Sequence, residues 1–272
     1  MEKKMEFSQI EGKSRGFKVG CGALIALSLW GALSFWSTFT EGHHITGMSN
    51  SVPWGLPITA VIFLIGVSAG SLVLSSLSAV FGKNEYKPFS RVSAYLAALL
   101  LAGAIALIVL DWGRPDRILL PFFHLNILSI FSWNGFLYTA YIGICVIYLW
   151  AMFAESKSLI KPIGILAVFW AILVHSGTGA IFGFITGREL YHSPLLPPSF
   201  VAAALSSGTA LIILVLLVSF RFTKRELAPE LIFGLSRLLF VFVIVVLYFL
   251  LVENLARLYS QKDEEAVRFL LF

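Results

Sequence analysis

The chain has 272 residues, of which 58% are hydrophobic and 13% charged, and phenylalanine alone contributes 24. A soluble domain carries roughly a quarter charged residues, so this composition excludes one and points to a membrane protein. The net charge of +5 lies in short segments between apolar runs, where membrane orientation accounts for it and no nucleic-acid partner is implied.

The apolar runs are continuous over about 20 residues, enough to cross ~30 Å of hydrocarbon as helices. A membrane β-barrel needs ~10-residue alternating strands instead. Seven spans are predicted, at about 19–38, 53–82, 92–112, 128–153, 162–186, 197–220 and 229–254, within one all-α integral membrane domain covering 1–272. The first follows Lys3, Lys4, Lys13, Arg15 and Lys18, as a signal peptide would. Its apolar stretch is too long for one and no small-x-small cleavage site follows, so it reads as an uncleaved helix. Span two is the longest and carries Gly66, Ser68 and Gly70, with the two glycines suited to close helix packing. Span three ends at Asp111. Span four opens on Trp133, Asn134 and Tyr138, and span five carries His175, Ser176 and Thr178 before a glycine-rich exit. Span seven contains Arg237 and ends at Glu253. The sequence stops at Arg268-Phe-Leu-Leu-Phe272, which reads as the start of another hydrophobic segment, so a truncated C-terminus is expected.

Lysine and arginine assign the two sides. Thirteen fall on the side that holds the N-terminus, Lys83, Lys87, Arg91, Lys157, Lys161, Arg221, Lys224 and Arg225. Six fall on the other side: Arg114, Arg117, Arg188, Arg257, Lys262 and Arg268. The N-terminus is therefore expected to be cytoplasmic in a cell (inner) membrane. Cys21 and Cys145 both lie inside apolar runs and make no metal-ligand spacing, so no iron–sulfur motif is present.

Polar residues inside spans are costly and mark sites by default. By the orientation above, Asp111, Asn134, Tyr138, His175 and Glu253 all fall in the outer half of the membrane. Asn134 and Tyr138 are four apart and share a helix face; His175 and Thr178 are three apart and share another. Each also has a plain structural role open to it. Asp111 can pair with Arg114 or Arg117, and His175 and Asn134 can bond neighbouring helices. Glu253 can sit at the interface as an exposed acid, Arg237 can snorkel, and Trp54, Trp112 and Trp133 can be belt aromatics. As a cluster they suit a quinone head group, whose oxygens need hydrogen-bond partners and whose redox chemistry moves protons that a histidine can exchange.

The motifs, in order, carry a resemblance. Pro53-Trp-Gly-Leu-Pro57 starts span two, Asp111-Trp-Gly-Arg-Pro-Asp-Arg117 closes span three, and Ser132-Trp-Asn-Gly-Phe136 opens span four. His175-Ser-Gly-Thr-Gly-Ala180 and Ser206-Ser-Gly-Thr-Ala-Leu211 lie in spans five and six. From about residue 50 onward the chain resembles the NrfD/polysulfide reductase (PsrC-like) membrane subunits, closest to their HybB- and DsrP-like branch. The resemblance implies a subunit that binds menaquinone or ubiquinone near the outer face, with no intrinsic haem or iron–sulfur cluster. It also implies a docked ferredoxin-like iron–sulfur subunit, further catalytic or cytochrome subunits, and a role in respiratory electron transport. The residues it carries over are Asp111, Arg114, Asn134 and His175, with Glu253 resembling an acid of the seventh helix. Asp111 and His175 are the expected proton-transfer groups, and Tyr138, Trp133, Arg114 and Ser68 complete the expected binding set. Some relatives have a histidine near Ser68 and an acid at the position of Asn134; this chain has neither. It also lacks the last helices expected of the larger branch.

Three rival readings make different predictions. A b-type haem subunit needs paired axial histidines at matched depth, yet of the five histidines only His175 lies well inside a span. A transporter predicts inverted repeats and helices broken near the midplane. A purely structural anchor leaves the polar cluster without a purpose.

Overall fold

A computed structural model describes residues 12–50, 52–80, 82, 86–187, 191–223, 228–259 and 268. Lys3, Lys4, Lys83, Arg188, Lys224, Arg225 and Lys262 of the charge count lie outside the described residues, as do residues 269–272. Seven helices are long and apolar enough to span a membrane, and no strand occurs among the described residues. The chain forms two compact units, residues 1–56 and 57–272.

The first unit holds α1 (Arg15–Glu41), longer at both ends than the predicted span. Ser14 caps it by accepting the Phe17 N–H at 3.1 Å. It stops at Gly42, whose φ of +95° a side chain would resist and whose N–H closes back on the Thr38 carbonyl. A short 3-10 turn follows at His43–Thr46.

The second unit is built from α2 (Leu56–Val80), α3 (Lys87–Asp111), α4 (Leu120–Phe123), α5 (Ile130–Phe153), α6 (Lys157–Gly183), α7 (Leu196–Thr223) and α8 (Pro229–Tyr259). All but the four-residue α4 match predicted spans. The α6 helix begins five residues before the expected start, so Pro162 lies inside it, near enough to the N-terminus that only one early i→i−4 bond is forfeited. The α2 helix is shorter at both ends than predicted.

Contacts between helix ends fix the registry. Early α5 meets late α6 through Asn134 and Gly177. Late α6 meets the entry to α7 through Gly183 and Ser193. Late α2 meets early α3 through Ser75 and Ser90, and early α3 meets the end of α5 through Arg91 and Glu155. One end of the bundle therefore gathers the starts of α2, α5 and α7 and the finishes of α3, α6 and α8.

Two apolar clusters form the interior. One joins α2, α3, α5 and α6 through Ile65, Leu72, Leu101, Tyr141, Tyr148 and Val174. The other joins α2, α7 and α8 through Leu74, Ile212, Leu216, Leu231 and Leu235, with Tyr86 and Phe89. Helix α2 contributes to both and is the most buried span. Large apolar side chains such as Phe63, Leu99, Phe131, Val146, Phe222 and Leu251 point outward, as lipid requires.

In lipid the hydrophobic effect does not drive helices together, so close packing and interhelical hydrogen bonds must. Both are present. A Cβ added at Gly70 would overlap the Ala204 carbonyl oxygen, and one at Gly208 would lie 2.6 Å from the Ser71 nitrogen, so the backbones of α2 and α7 touch. Ser68 Oγ donates to the Ala97 carbonyl at 2.7 Å, and with that hydrogen committed it accepts from the buried Tyr141 hydroxyl at 3.3 Å. Three helices are thereby tied at mid-bundle.

Candidate functional site

The predicted polar residues divide between two faces of α6. At 3.6 residues per turn, Thr178 lies roughly 60° from His175 and Gly177 roughly 160° from it. Gly177 therefore faces α5, where its carbonyl accepts from Asn134 Nδ2 at 3.0 Å. The second Nδ2 hydrogen goes to the Ile130 carbonyl at 2.9 Å, and Oδ1 is buried without a hydrogen-bond partner among the described residues. The amide cannot be reversed, because its oxygen would then face two carbonyls.

Tyr138, one turn further along α5, reaches Thr178 on the interior side of α6, oxygen to oxygen at 2.8 Å. Thr178 spends its own hydrogen on the Val174 carbonyl at 2.8 Å. Tyr138 is therefore the donor, and its oxygen keeps only lone pairs.

His175 turns toward α2 and α7. It is 2% exposed, and Nδ1 lies 3.1 Å from the Ala171 carbonyl. Nε2 makes no hydrogen bond among the described residues. The Cβ position of Gly66 lies 3.9 Å from Nε2 and 3.8 Å from Ser207 Oγ, so these atoms border one niche between α2, α6 and α7. The niche sits two turns below the end of α6, a depth of about 12 Å at 1.5 Å per residue.

The remaining predicted residues lie around this centre. Asp111 closes α3 with its side chain partly buried. The expected pairing of Asp111 with Arg114 or Arg117 is corrected, because both arginines meet Asp116. Arg114 grips it through Nε and a terminal nitrogen, each at 3.1 Å, and Arg117 approaches to 3.9 Å. A planar guanidinium matches a carboxylate two residues away once Gly113, at φ +69°, has turned the chain out of α3. The Asp116 carboxyl is held below its ordinary range chiefly by the Arg114 hydrogen bond. Glu253 is also not an exposed interfacial acid, since it pairs with Arg257 at 2.7 Å with both side chains largely covered. Trp133 is half exposed, as a belt aromatic would be, and its Nε1 donates to the Ile127 carbonyl at 2.7 Å to close the loop before α5. Ser68 faces α3 and α5, away from the niche. Arg237 is exposed on α8.

Ser207 was not singled out from the sequence, although it stands in the Ser206-Ser207-Gly208 motif; only the crossing of α2 and α7 brings it near His175. Gly66 was read as a packing position. Its bareness opposite Nε2 is visible only with α6 in place.

Residues 44–272 match the family described as polysulphide reductase, NrfD. The chain is 44% identical over 266 residues to the Hdr-like menaquinol oxidoreductase integral membrane subunit of Archaeoglobus fulgidus, covering 97% of this chain and 67% of that protein. It is 26% identical to a selenate reductase subunit of Mesobacillus selenatarsenatis, covering 89% of this chain and 66% of the relative. It is 25% identical to a membrane-family relative from Wolinella succinogenes that belongs to its polysulfide reductase, covering 65% and 62%. The chain thus spans about two thirds of the length of these relatives.

Proposed function

This chain belongs to the polysulphide reductase NrfD family, and we propose that it is the quinone-interacting membrane subunit of a respiratory oxidoreductase complex. In this reading it exchanges electrons between the membrane quinone pool and an iron–sulfur subunit on the outer face of the inner membrane, with the N-terminus cytoplasmic. The observation that carries it is the niche at His175, where a histidine ring nitrogen lies buried in the spans, without a hydrogen-bond partner among the described residues, opposite a bare glycine. Such a group is costly in a bilayer unless a ligand meets it. The integral membrane subunit of a menaquinol oxidoreductase at 44% identity supports menaquinone as the ligand, with ubiquinone the alternative.

When bound, a quinone supplies two-electron, two-proton redox chemistry. His175 Nε2 holds or takes a ring proton. Tyr138 and Thr178 set the neighbouring interior wall, and Asn134 holds α5 against α6. Asp111 relays protons at the outer end, and Trp133 flanks the entrance from lipid. Arg114 and Arg117, ordered by Asp116, present the outer loop to an acidic face of the partner. Ser68 and the Glu253–Arg257 pair position the helices around the niche.

The test is purification in mild detergent, with mass spectrometry of bound lipids and proteins and an absorption spectrum. Menaquinone or ubiquinone together with an iron–sulfur subunit, and no haem bands, is the expected result. A haem spectrum, or neither quinone nor redox partner, refutes the reading.

A further inference from the structure

Hydrogen-bond accounting at this end of the bundle gives the candidate site a polarity. The Ala171 carbonyl only accepts, so His175 Nδ1 must carry the hydrogen between them. The neutral ring then offers a bare lone pair at Nε2, beside Gly66 and Ser207. Ser207 gives its hydrogen to the Ala204 carbonyl at 3.3 Å. Tyr138 gives its hydrogen to Thr178, and Asn134 gives both of its own to backbone carbonyls. The polar side chains brought together here thus present acceptors and have no hydrogen left to give.

An oxidised quinone ring also carries only acceptors, and its carbonyls gain nothing against such a wall. A hydroquinone carries two O–H donors. Resting on the function proposed above, we infer that the niche recognises the reduced, hydroxyl-bearing ring, with one hydroxyl donating to His175 Nε2. The name of the menaquinol oxidoreductase relative leaves the direction of its reaction open, so this polarity is an independent statement that the chain draws on the reduced pool. Gly66 is the specificity element that keeps the niche clear. Its added Cβ would stand at ordinary contact distance, 3.8 Å or more from its neighbours, so alanine fits the fold while narrowing the space.

The test is calorimetric titration of the complex in lipid nanodiscs with 2-methyl-1,4-naphthohydroquinone, kept reduced under argon, and with the matching quinone. Empty nanodiscs provide the blank. One net hydrogen bond predicts about 3- to 10-fold tighter binding of the reduced form. His175→Leu should bring the two affinities together, and Gly66→Ala should weaken both while the protein melts normally. Equal or tighter binding of the oxidised form to the unaltered protein overturns the inference and leaves the proposed function standing. So does a preference for the reduced form that survives His175→Leu. Binding of neither ring form to the intact complex overturns both.

Discussion

Gly208→Ala tests whether the α2–α7 contact sets the shape of the niche. The new Cβ would lie 2.6 Å from the Ser71 nitrogen and close to the backbone of Gly70. These are main-chain atoms of a neighbouring helix, so no rotamer change relieves the overlap, and the helices must part by about 1 Å to restore normal contact. Overpacking of this kind costs about 1–3 kcal/mol, offset by about 0.5–1 kcal/mol because alanine is the better helix former. The net expectation is a loss of about 1–2 kcal/mol, or a Tm lower by about 3–8 °C for a unit of this size. Cys145, 1% exposed, is a built-in reporter. In a Cys21→Ser background, a thiol-reactive dye labels it only as the bundle opens on heating. Gly143→Ala is the control, because nothing lies within 4 Å of its added Cβ, and it should be neutral or slightly stabilising. The contact is refuted as a tight one if Gly208→Ala melts with its parent, or if Gly143→Ala is as damaging.

Tyr138→Phe removes the hydrogen bond to Thr178 and should cost about 0.6 kcal/mol, the average for such bonds between membrane helices, in the same labelling assay. Gly177→Ala places a Cβ 2.7 Å from Asn134 Oδ1 and 2.9 Å from a Leu137 methyl carbon. It should destabilise by about 1–3 kcal/mol, and by less when Asn134→Ala has already removed the obstacle; strictly additive losses in the double-mutant cycle would refute this coupling. Substituting His175 with leucine should abolish quinone-linked turnover while the chain still assembles, as judged by co-purification of its partner; unchanged turnover refutes its role. In the outer loop, the Asp116 carboxyl titrates lower in the folded protein than its ordinary value of 3.8, so the Arg114 contact is present above that value and is lost as pH falls through the depressed one. Both groups are solvent-exposed, so the readout is local. A carbon-13 titration of Asp116 should give a midpoint that rises in Arg114→Gln, and an unmoved midpoint would show that the pair does not persist.

Which residues enter the membrane was legible from the sequence because it depends on a local quantity, the length and continuity of each apolar run. All seven predicted spans correspond to helices in the structure. Helical spacing also placed Asn134 with Tyr138, and His175 with Thr178, on shared faces. Periodicity gives the face of a residue on its own helix but not the neighbour that covers it. Ser68 bonds residues 29 and 73 positions away, and Tyr138 reaches across 40. Composition cannot reveal such partners. Tertiary packing turned His175 toward Gly66 and Ser207 and away from Asn134, and it gave Arg114 to Asp116 in place of Asp111. The physical reason is that burial in lipid leaves each polar hydrogen only the acceptors its neighbours provide, and the helix crossings, set by contacts such as Gly70 with Gly208, decide which neighbours those are.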